Sequence, residues 1–204
     1  MGKKFRNTEQ VILNAAKDVF IQKGFYGARM QEIADIADIN KAMLHYYFKN
    51  KEELYERVYT ELFNENLINA KSIFEVKGSF KDKLKLYINK LLESMADKPE
   101  VICFLISEYN RHPERCRKFI NNAFVSNTSD LIAYFEAEAQ NEVIKRIDFR
   151  EFVLHLNSLC TYPVMTKEIY TSLFGFKTDK EYSEFLKKRN KFIFDQLLNT
   201  LGIN

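Results

Sequence analysis

Residues 40–51 bring together the side chains of this chain that are best suited to recognition chemistry. A helix placed at Asn40–Phe48 puts Leu44 and Phe48 on one side. The other side carries Ala42, His45 and Tyr46, with Lys41 at its flank, so it is small, hydrogen-bonding and aromatic rather than acidic. Such a surface can enter a DNA major groove and meet base edges and phosphates without charge repulsion. The pattern therefore indicates nucleic-acid recognition.

The residues before this helix predict a second helix and a tight turn that hold it in place. Apolar residues recur at i, i+3, i+4 and i+7, which is the spacing of one buried helical face: Met30, Ile33, Ala34 and Ala37. Asp38 falls where the chain must turn, and aspartate tolerates the left-handed conformation better than most residues. Asn40 is a favourable N-cap, and Ile39 can pack on Leu44 as a hydrophobic staple. These signals predict a helix-turn-helix.

At these residues the sequence resembles the TetR family of bacterial transcriptional regulators. The family pattern has Glu-Ile-Ala in the first helix of the motif, an apolar residue after the turn, and an aromatic-rich end closing in Phe-x-x-Lys-Glu-x-Leu. Here these are residues 32–34, Ile39 and residues 46–54. The chain departs from the pattern at residues 28–29, where Thr or Ser is usual, at Asp38, where Gly is usual, and at Ala42-Met43, where Gly-Thr is frequent.

The resemblance implies DNA contacts at eight positions: Asn40, Lys41, Ala42, Met43, His45, Tyr46, Tyr47 and Lys51. We expect Tyr46, Tyr47 and Lys51 to hold phosphates, and Lys51 also lies in a first helical turn, where free N–H groups favour anions. Lys41, Ala42 and Met43 are expected to approach base edges, with Lys41 donating to guanine and Met43 packing on a thymine methyl group. His45 suits either role. The alternative for Lys51 is a solvated lysine.

Positive charge is gathered at the same end of the chain. Residues 1–51 contain nine lysines and arginines against five acidic residues, whereas the whole chain has a net charge of only +3. Lys3, Lys4 and Arg6 form a short basic arm that either contacts a neighbouring phosphate or the minor groove, or is a disordered tail until DNA is present. Asn7 and Gln10 fit a capping box for a first helix, which ends at Gly24. This helix and the two helices of the helix-turn-helix are expected to form a three-helix DNA-binding domain, which we call the head.

The rest of the chain predicts helices and no strand. A long amphipathic helix from Glu52 to about Phe74 would lead out of the head, as the connecting helix of the family does. Further helices are predicted at residues 80–95, 99–110 and 113–140, then from Asp148 past a kink at Pro163, and finally to Leu201. We therefore expect an all-α fold: a helix-turn-helix DNA-binding domain at residues 1–53, joined by a connecting helix to a helical ligand-binding and dimerisation domain at residues 54–204.

The aromatic content of the second domain has two explanations. The chain has 18 phenylalanines, 11 tyrosines and no tryptophan. These rings either fill a helical core or line a cavity for a small apolar or aromatic effector. If a cavity forms, the expected lining residues are Phe104, Tyr109, Phe119, Phe124, Tyr134, Tyr162 and Met165.

A homodimer is expected by analogy with the family, whose last two helices pair as a four-helix bundle. The candidate interface residues share an apolar helical face: Ile169, Tyr170, Leu173, Phe174, Phe192 and Ile193. Two recognition helices about one DNA turn apart would suit a palindromic site in double-stranded DNA.

Several classes of protein are disfavoured by the sequence. His45, His112 and His155 have no partner at metal-ligand or triad spacing, and there is no Gly-rich phosphate loop, so neither an enzyme nor a cofactor or metal is expected. Three scattered cysteines form no disulfide framework. With no apolar run long enough to cross a membrane and no secretory signal, a cytoplasmic protein with no membrane contact is expected.

The resemblance and the residues together favour a ligand-responsive transcriptional regulator, expected to be a repressor that an effector releases from its operator. The altered motif at Arg29, Asp38 and Met43 leaves an alternative. This is a helical protein-interaction module that has kept the fold but has weak or no specific DNA binding.

Overall fold

The computed structural model describes the backbone of residues 2–66 and 70–203, and side chains at 8–66, 72–96, 98–118, 128, 129 and 131–203. Within this described part the chain forms eleven helices and no strand, so the all-α prediction is confirmed. The helices are α1 (Gly2–Gly27), α2 (Met30–Ile36), α3 (Lys41–Tyr47), α4 (Lys51–Asn66), α5 (Ala70–Phe74), α6 (Phe80–Asp97), α7 (Pro99–Arg111), α8 (Pro113–Gln140), α9 (Phe149–Met165), α10 (Lys167–Phe174) and α11 (Asp179–Leu201).

Residues 1–65 and 100–122 form one compact unit, which we call the first unit. Its core contains apolar residues of α1, α2, α3 and α4, including Phe20, Ile33 and Leu44. Residues of α7 and the start of α8 complete the same core: Val101, Phe104, Leu105 and Cys116. Packing in this unit therefore joins the N-terminal helices to a segment much later in the chain. The functional boundary after residue 53 is a different division and stays a prediction.

The helix-turn-helix has the predicted local structure. Asp38 has a φ of 51°, in the left-handed region, between the end of α2 and the start of α3. The Asn40 side-chain oxygen accepts a hydrogen bond from the backbone N–H of Met43 at 2.8 Å, which confirms Asn40 as the N-cap of α3. The cap at Asn40 therefore fixes the residue at which α3 starts. Together with the burial of Leu44, it determines which side chains of α3 face outwards.

Residues 66–99 and 123–204 form the second unit. Here α11 packs against both α6 and α9. Each of these three helices begins with a side-chain cap: Ser79 for α6, Asp148 for α9 and Thr178 for α11. The capping residues satisfy N–H groups that the first helical turn leaves free.

Two helix boundaries differ from the sequence predictions, and the middle of the predicted connecting helix falls outside the described residues. The α1 helix begins at Gly2, before the expected start at Asn7, and its non-helical residue is Gly24, with a φ of 65°. The predicted long connecting helix is described as α4 and α5, and residues 67–69 between them lie outside the described residues. The helix expected to bend at Pro163 instead ends at Met165, and α10 follows after Thr166.

Candidate nucleic-acid interface

One side of α3 is packed into the first unit and the other is open. Leu44 is fully buried and Phe48 nearly so, and both belong to the core. The opposite side is exposed and forms what we call the recognition face: Lys41, Ala42, Met43, His45 and Tyr46. Tyr46 is 77% exposed and Met43 is 43% exposed. A helix anchored on one side with polar and apolar groups free on the other is able to enter a groove.

The side chains around this face differ in the hydrogen-bonding groups that remain available for DNA. The Asn40 oxygen accepts the Met43 N–H, and its two amide N–H bonds remain as donors for DNA. His45 Nδ1 lies 3.3 Å from the Lys49 carbonyl oxygen and donates to it when that nitrogen carries the proton. The other ring nitrogen of His45 is then an acceptor. Tyr46 and Tyr47 meet edge to face at 5.5 Å, and Tyr47 also packs on the core.

Lys51 has an internal role that the sequence does not reveal. Its ammonium group donates to the Ala28 carbonyl oxygen at 3.1 Å and lies 4.5 Å from the centre of the Phe25 ring. The side chain therefore joins the start of α4 to the link between α1 and α2. Because an ammonium group has three donors, this contact leaves two N–H bonds that can serve a phosphate.

A buried polar pair lies beneath these elements in the first unit. Glu108 of α7 is only 3% exposed, and one of its carboxylate oxygens accepts a hydrogen bond from Tyr55 at 2.7 Å. Burial raises the pKa of the Tyr55 hydroxyl well above its usual range, and the hydrogen bond to Glu108 adds to the effect. Tyr55 thus remains a neutral donor. The spacing Val101, Phe104, Leu105 and Glu108 places this glutamate on the apolar face of α7, a signal present in the sequence.

The predicted effector-lining residues do not gather around one described cavity. Phe104 and Tyr109 pack with the core of the first unit. In the second unit Tyr134 stacks against Phe80 with ring centres 6.2 Å apart, and Tyr162 and Met165 are exposed. Phe119 and Phe124 lie outside the residues whose side chains are described. Effector contact by these residues stays a prediction.

Most of the candidate dimer residues lie at the surface of the second unit. Ile169, Leu173, Phe174 and Phe192 are exposed, and Tyr170 stacks on Phe174 with ring centres 5.4 Å apart. Ile193 is only 1% exposed, because one residue along a helix turns the side chain by about 100° from its neighbour Phe192. Ile193 therefore packs inside its own unit and has no surface to offer a second copy.

Two further observations concern chemistry elsewhere in the chain. Among the described residues no cluster of histidine, cysteine and acidic side chains could hold a metal ion, and no helix is long and apolar enough to cross a membrane. Cys116 and Cys160 are buried, and burial raises the pKa of the Cys160 thiol to about 12. Such a thiol stays protonated and unreactive at neutral pH.

The buried side of α3, its N-cap and its exposed recognition face define a helix-turn-helix protein with an all-helical second unit. Residues 12–58 match the family model of bacterial regulatory proteins of the tetR family. The HTH-type transcriptional regulator RutR of Escherichia coli (strain K12) is 37% identical over 92 residues, which are 45% of this chain and 43% of that relative. The chain therefore matches less than half of the length of RutR.

Two other proteins match most of the chain. The probable HTH-type transcriptional regulator YttP of Bacillus subtilis (strain 168) is 24% identical over 180 residues, covering 86% of both chains. The fold is similar to the crystal structure of FadR from Bacillus subtilis in complex with stearoyl-CoA, with a TM-score of 0.68 and 21% identity over 92% of this chain and 96% of that chain. Residues 12–58 therefore carry the N-terminal sequence signature of the tetR family, and the likeness in fold extends over most of the chain.

Proposed function

We propose that this protein is a transcriptional regulator that binds a palindromic operator in double-stranded DNA as a homodimer. It acts in the cytoplasm as a repressor, and a small apolar or aromatic effector bound in the domain that follows the head releases it. The observation that carries the proposal is the recognition face of α3, which is exposed, free of acidic residues and anchored from behind by Leu44. Bound at an operator, such a protein would block access to the DNA beneath it.

The recognition face supports the division of contacts that the sequence predicts. Lys41 and Met43 leave α3 near its N-terminus, the end that helix-turn-helix proteins turn towards base edges. Tyr46 lies one turn later, where its exposed hydroxyl suits a phosphate. Lys51 is the remaining phosphate candidate, with two N–H bonds beyond its contact to Ala28.

The proposed release by an effector has an energetic requirement. A ligand shifts the protein between an operator-binding and a released state only by the difference in its affinity for the two. The relative FadR, whose structure contains stearoyl-CoA, supports an effector with a large apolar part. Because coupling is reciprocal, the operator must weaken effector binding by the same factor as the effector weakens operator binding.

The test is binding of the purified protein to the DNA flanking its own gene, against scrambled DNA of the same length, over a salt series. We expect selective binding whose affinity falls linearly with salt on logarithmic axes, since phosphate contacts release counterions. Binding that is absent or equal on both DNAs, and that stays so after refolding without ligand, would favour the protein-interaction alternative.

Two substitutions separate base contacts from phosphate contacts. Met43→Ala should reduce the preference for one base pair and cost about 1–3 kcal/mol on the correct sequence only. Tyr46→Phe should weaken binding to all sequences alike, because it removes a hydroxyl that touches only phosphate. Lys180→Gln is the control, since Lys180 is an exposed lysine of the second unit. An equal loss in all three variants would contradict the assignment.

A further inference from the structure

A cavity of about 440 Å³ lies in the second unit between α6, α9 and α11. This volume falls within the range of about 300–1,000 Å³ that small-molecule sites occupy. Its walls are largely apolar and come from all three helices, with Leu92, Leu159, Val164 and Leu186 among them. None of the aromatic residues that the sequence predicts for an effector site belongs to these walls.

The polar groups of the cavity are few and lie on α6 and α11. Asn190 donates to the Asn89 side-chain oxygen at 2.6 Å, so these two amides are held in place. Glu93 is the acidic residue of the lining, and Lys187 and Arg189 are its cations. The lining therefore has an excess of positive charge.

Arg189 of the lining carries a buried polar atom that has no hydrogen-bond partner among the described residues. Its Nε atom is buried and has no hydrogen-bond acceptor among the described residues. The guanidinium carbon lies 5.9 Å from the Phe185 ring centre and 5.6 Å from the Phe192 ring centre, and no described carboxylate forms an ion pair with it. A buried N–H donor left unpaired is costly, so this position calls for an acceptor.

The position of Arg189 relative to the cavity wall is supported by its effect on Cys160. Burial raises the pKa of this thiol, and the Arg189 charge acts in the opposite direction. Cys160 is itself part of the lining, on α9. The guanidinium group is thus close enough to the α9 side of the cavity for its charge to be felt there.

We propose that this cavity binds a single-chain organic anion, whose apolar body fills the space between α6, α9 and α11 and whose acidic group accepts a hydrogen bond from Arg189 Nε. An anion satisfies the unpaired donor and the excess positive charge, and an apolar chain matches the leucine and valine walls. A neighbouring depression shares Asn89, Lys187 and Asn190 with the cavity and adds Lys85, Lys188 and Lys191. These lysines would attract anions towards the site. This inference rests on the proposed function, because the organic anion would be the effector that releases the regulator from its operator.

The experiment measures ligand binding without DNA. Dansylundecanoic acid, a fluorescent single-chain anion, is titrated into the purified 204-residue chain. Dodecanoate and dodecan-1-ol then compete for the site below their micelle concentrations. Because the two competitors share a chain and differ in charge, we expect the acid to bind at least about 10-fold more tightly than the alcohol.

Two variants localise the site. Arg189→Gln should reduce the preference for the acid to within about 3-fold, since the charged donor is lost. Leu159→Phe should weaken both competitors by filling the cavity, and Lys180→Gln should change neither. Equal binding of acid and alcohol by the wild-type protein overturns the proposal without need of a variant, as does an unchanged preference in a folded Arg189→Gln protein.

Operator binding is measured separately, so that the two proposals fail separately. If dodecanoate binds through Arg189 but leaves operator affinity unchanged, the site stands and release by this ligand class is wrong. If another compound releases the operator while dodecanoate does not bind, the proposed function stands and the inference about this cavity is overturned.

Discussion

Gly24 offers a quantitative test of the packing in the first unit. Its φ of 65° and ψ of −179° lie in a region that is almost exclusive to glycine. A Cβ atom added there would lie 3.0 Å from a carboxylate oxygen of Glu108. That oxygen has little room to move, since Glu108 is buried and its other oxygen is bound by Tyr55.

Gly24→Ala therefore carries two costs. The backbone conformation costs about 1–3 kcal/mol for a residue with a Cβ atom. The close approach to Glu108 adds a cost of overpacking, about 1–3 kcal/mol. A total of about 2–6 kcal/mol corresponds to a lowering of the melting temperature by roughly 4–24 °C in a chain of this size. The assay is thermal unfolding followed by far-UV circular dichroism.

Gly175→Ala is the matched control. Gly175 also has a positive φ, of 69°, but nothing lies within 4 Å of an added Cβ atom. Only the backbone cost applies there, about 1–2 kcal/mol. In a double-mutant cycle, Gly24→Ala should cost less when Glu108 is already alanine, because the close approach is gone. If the Gly24→Ala protein were as stable as the Gly175→Ala protein, the close contact between the added Cβ atom and Glu108 would have no measurable cost.

Three further predictions concern single side chains. Lys51→Met keeps the apolar stem but removes the ammonium group, so it should lower operator affinity on all sequences alike and reduce the slope of log affinity against log salt by about 1; an unchanged slope would exclude the phosphate contact. Asp38→Gly should raise the free energy of unfolding by up to about 1 kcal/mol, measured in urea, because glycine has no Cβ atom and adopts the left-handed conformation without steric strain. Folding raises the pKa of Cys160 to about 12, so the native thiol stays protonated from pH 6 to pH 9, and Ellman's reagent should modify it only after unfolding; rapid native reaction would contradict its burial.

Features that depend on neighbouring residues could be predicted from the sequence. The Asn40 cap, the left-handed Asp38 and the non-helical Gly24 each follow from the conformational limits of one residue and its near neighbours. The buried and exposed sides of α3 follow from helical periodicity alone. For this reason the sequence correctly placed Ala42, His45 and Tyr46 on the exposed side of this helix.

Features that depend on distant parts of the chain could not be predicted in this way. The Lys51 ammonium group bonds to Ala28, and Tyr55 bonds to Glu108, which is 53 positions away. Periodicity shows that Glu108 shares the apolar face of α7, but it does not show which donor meets it. The cavity at Arg189 likewise needs α6, α9 and α11 together, and ring content alone pointed to other residues.

The core of the first unit has a consequence for how the protein is made. Val101, Phe104, Leu105 and Cys116 pack with residues of α1 to α4, so the N-terminal helices lack part of their core until these residues have been synthesised. During translation the helix-turn-helix segment would leave the ribosome before α7 is made. Until then the Tyr55 hydroxyl would lack its acceptor Glu108, and the Tyr59 hydroxyl would lack the Leu105 carbonyl oxygen. An excised fragment ending after α4 would lack these core residues and hydrogen-bond acceptors altogether. A chimera that exchanges DNA specificity between two such regulators should therefore transfer α7 and the start of α8 together with the first four helices.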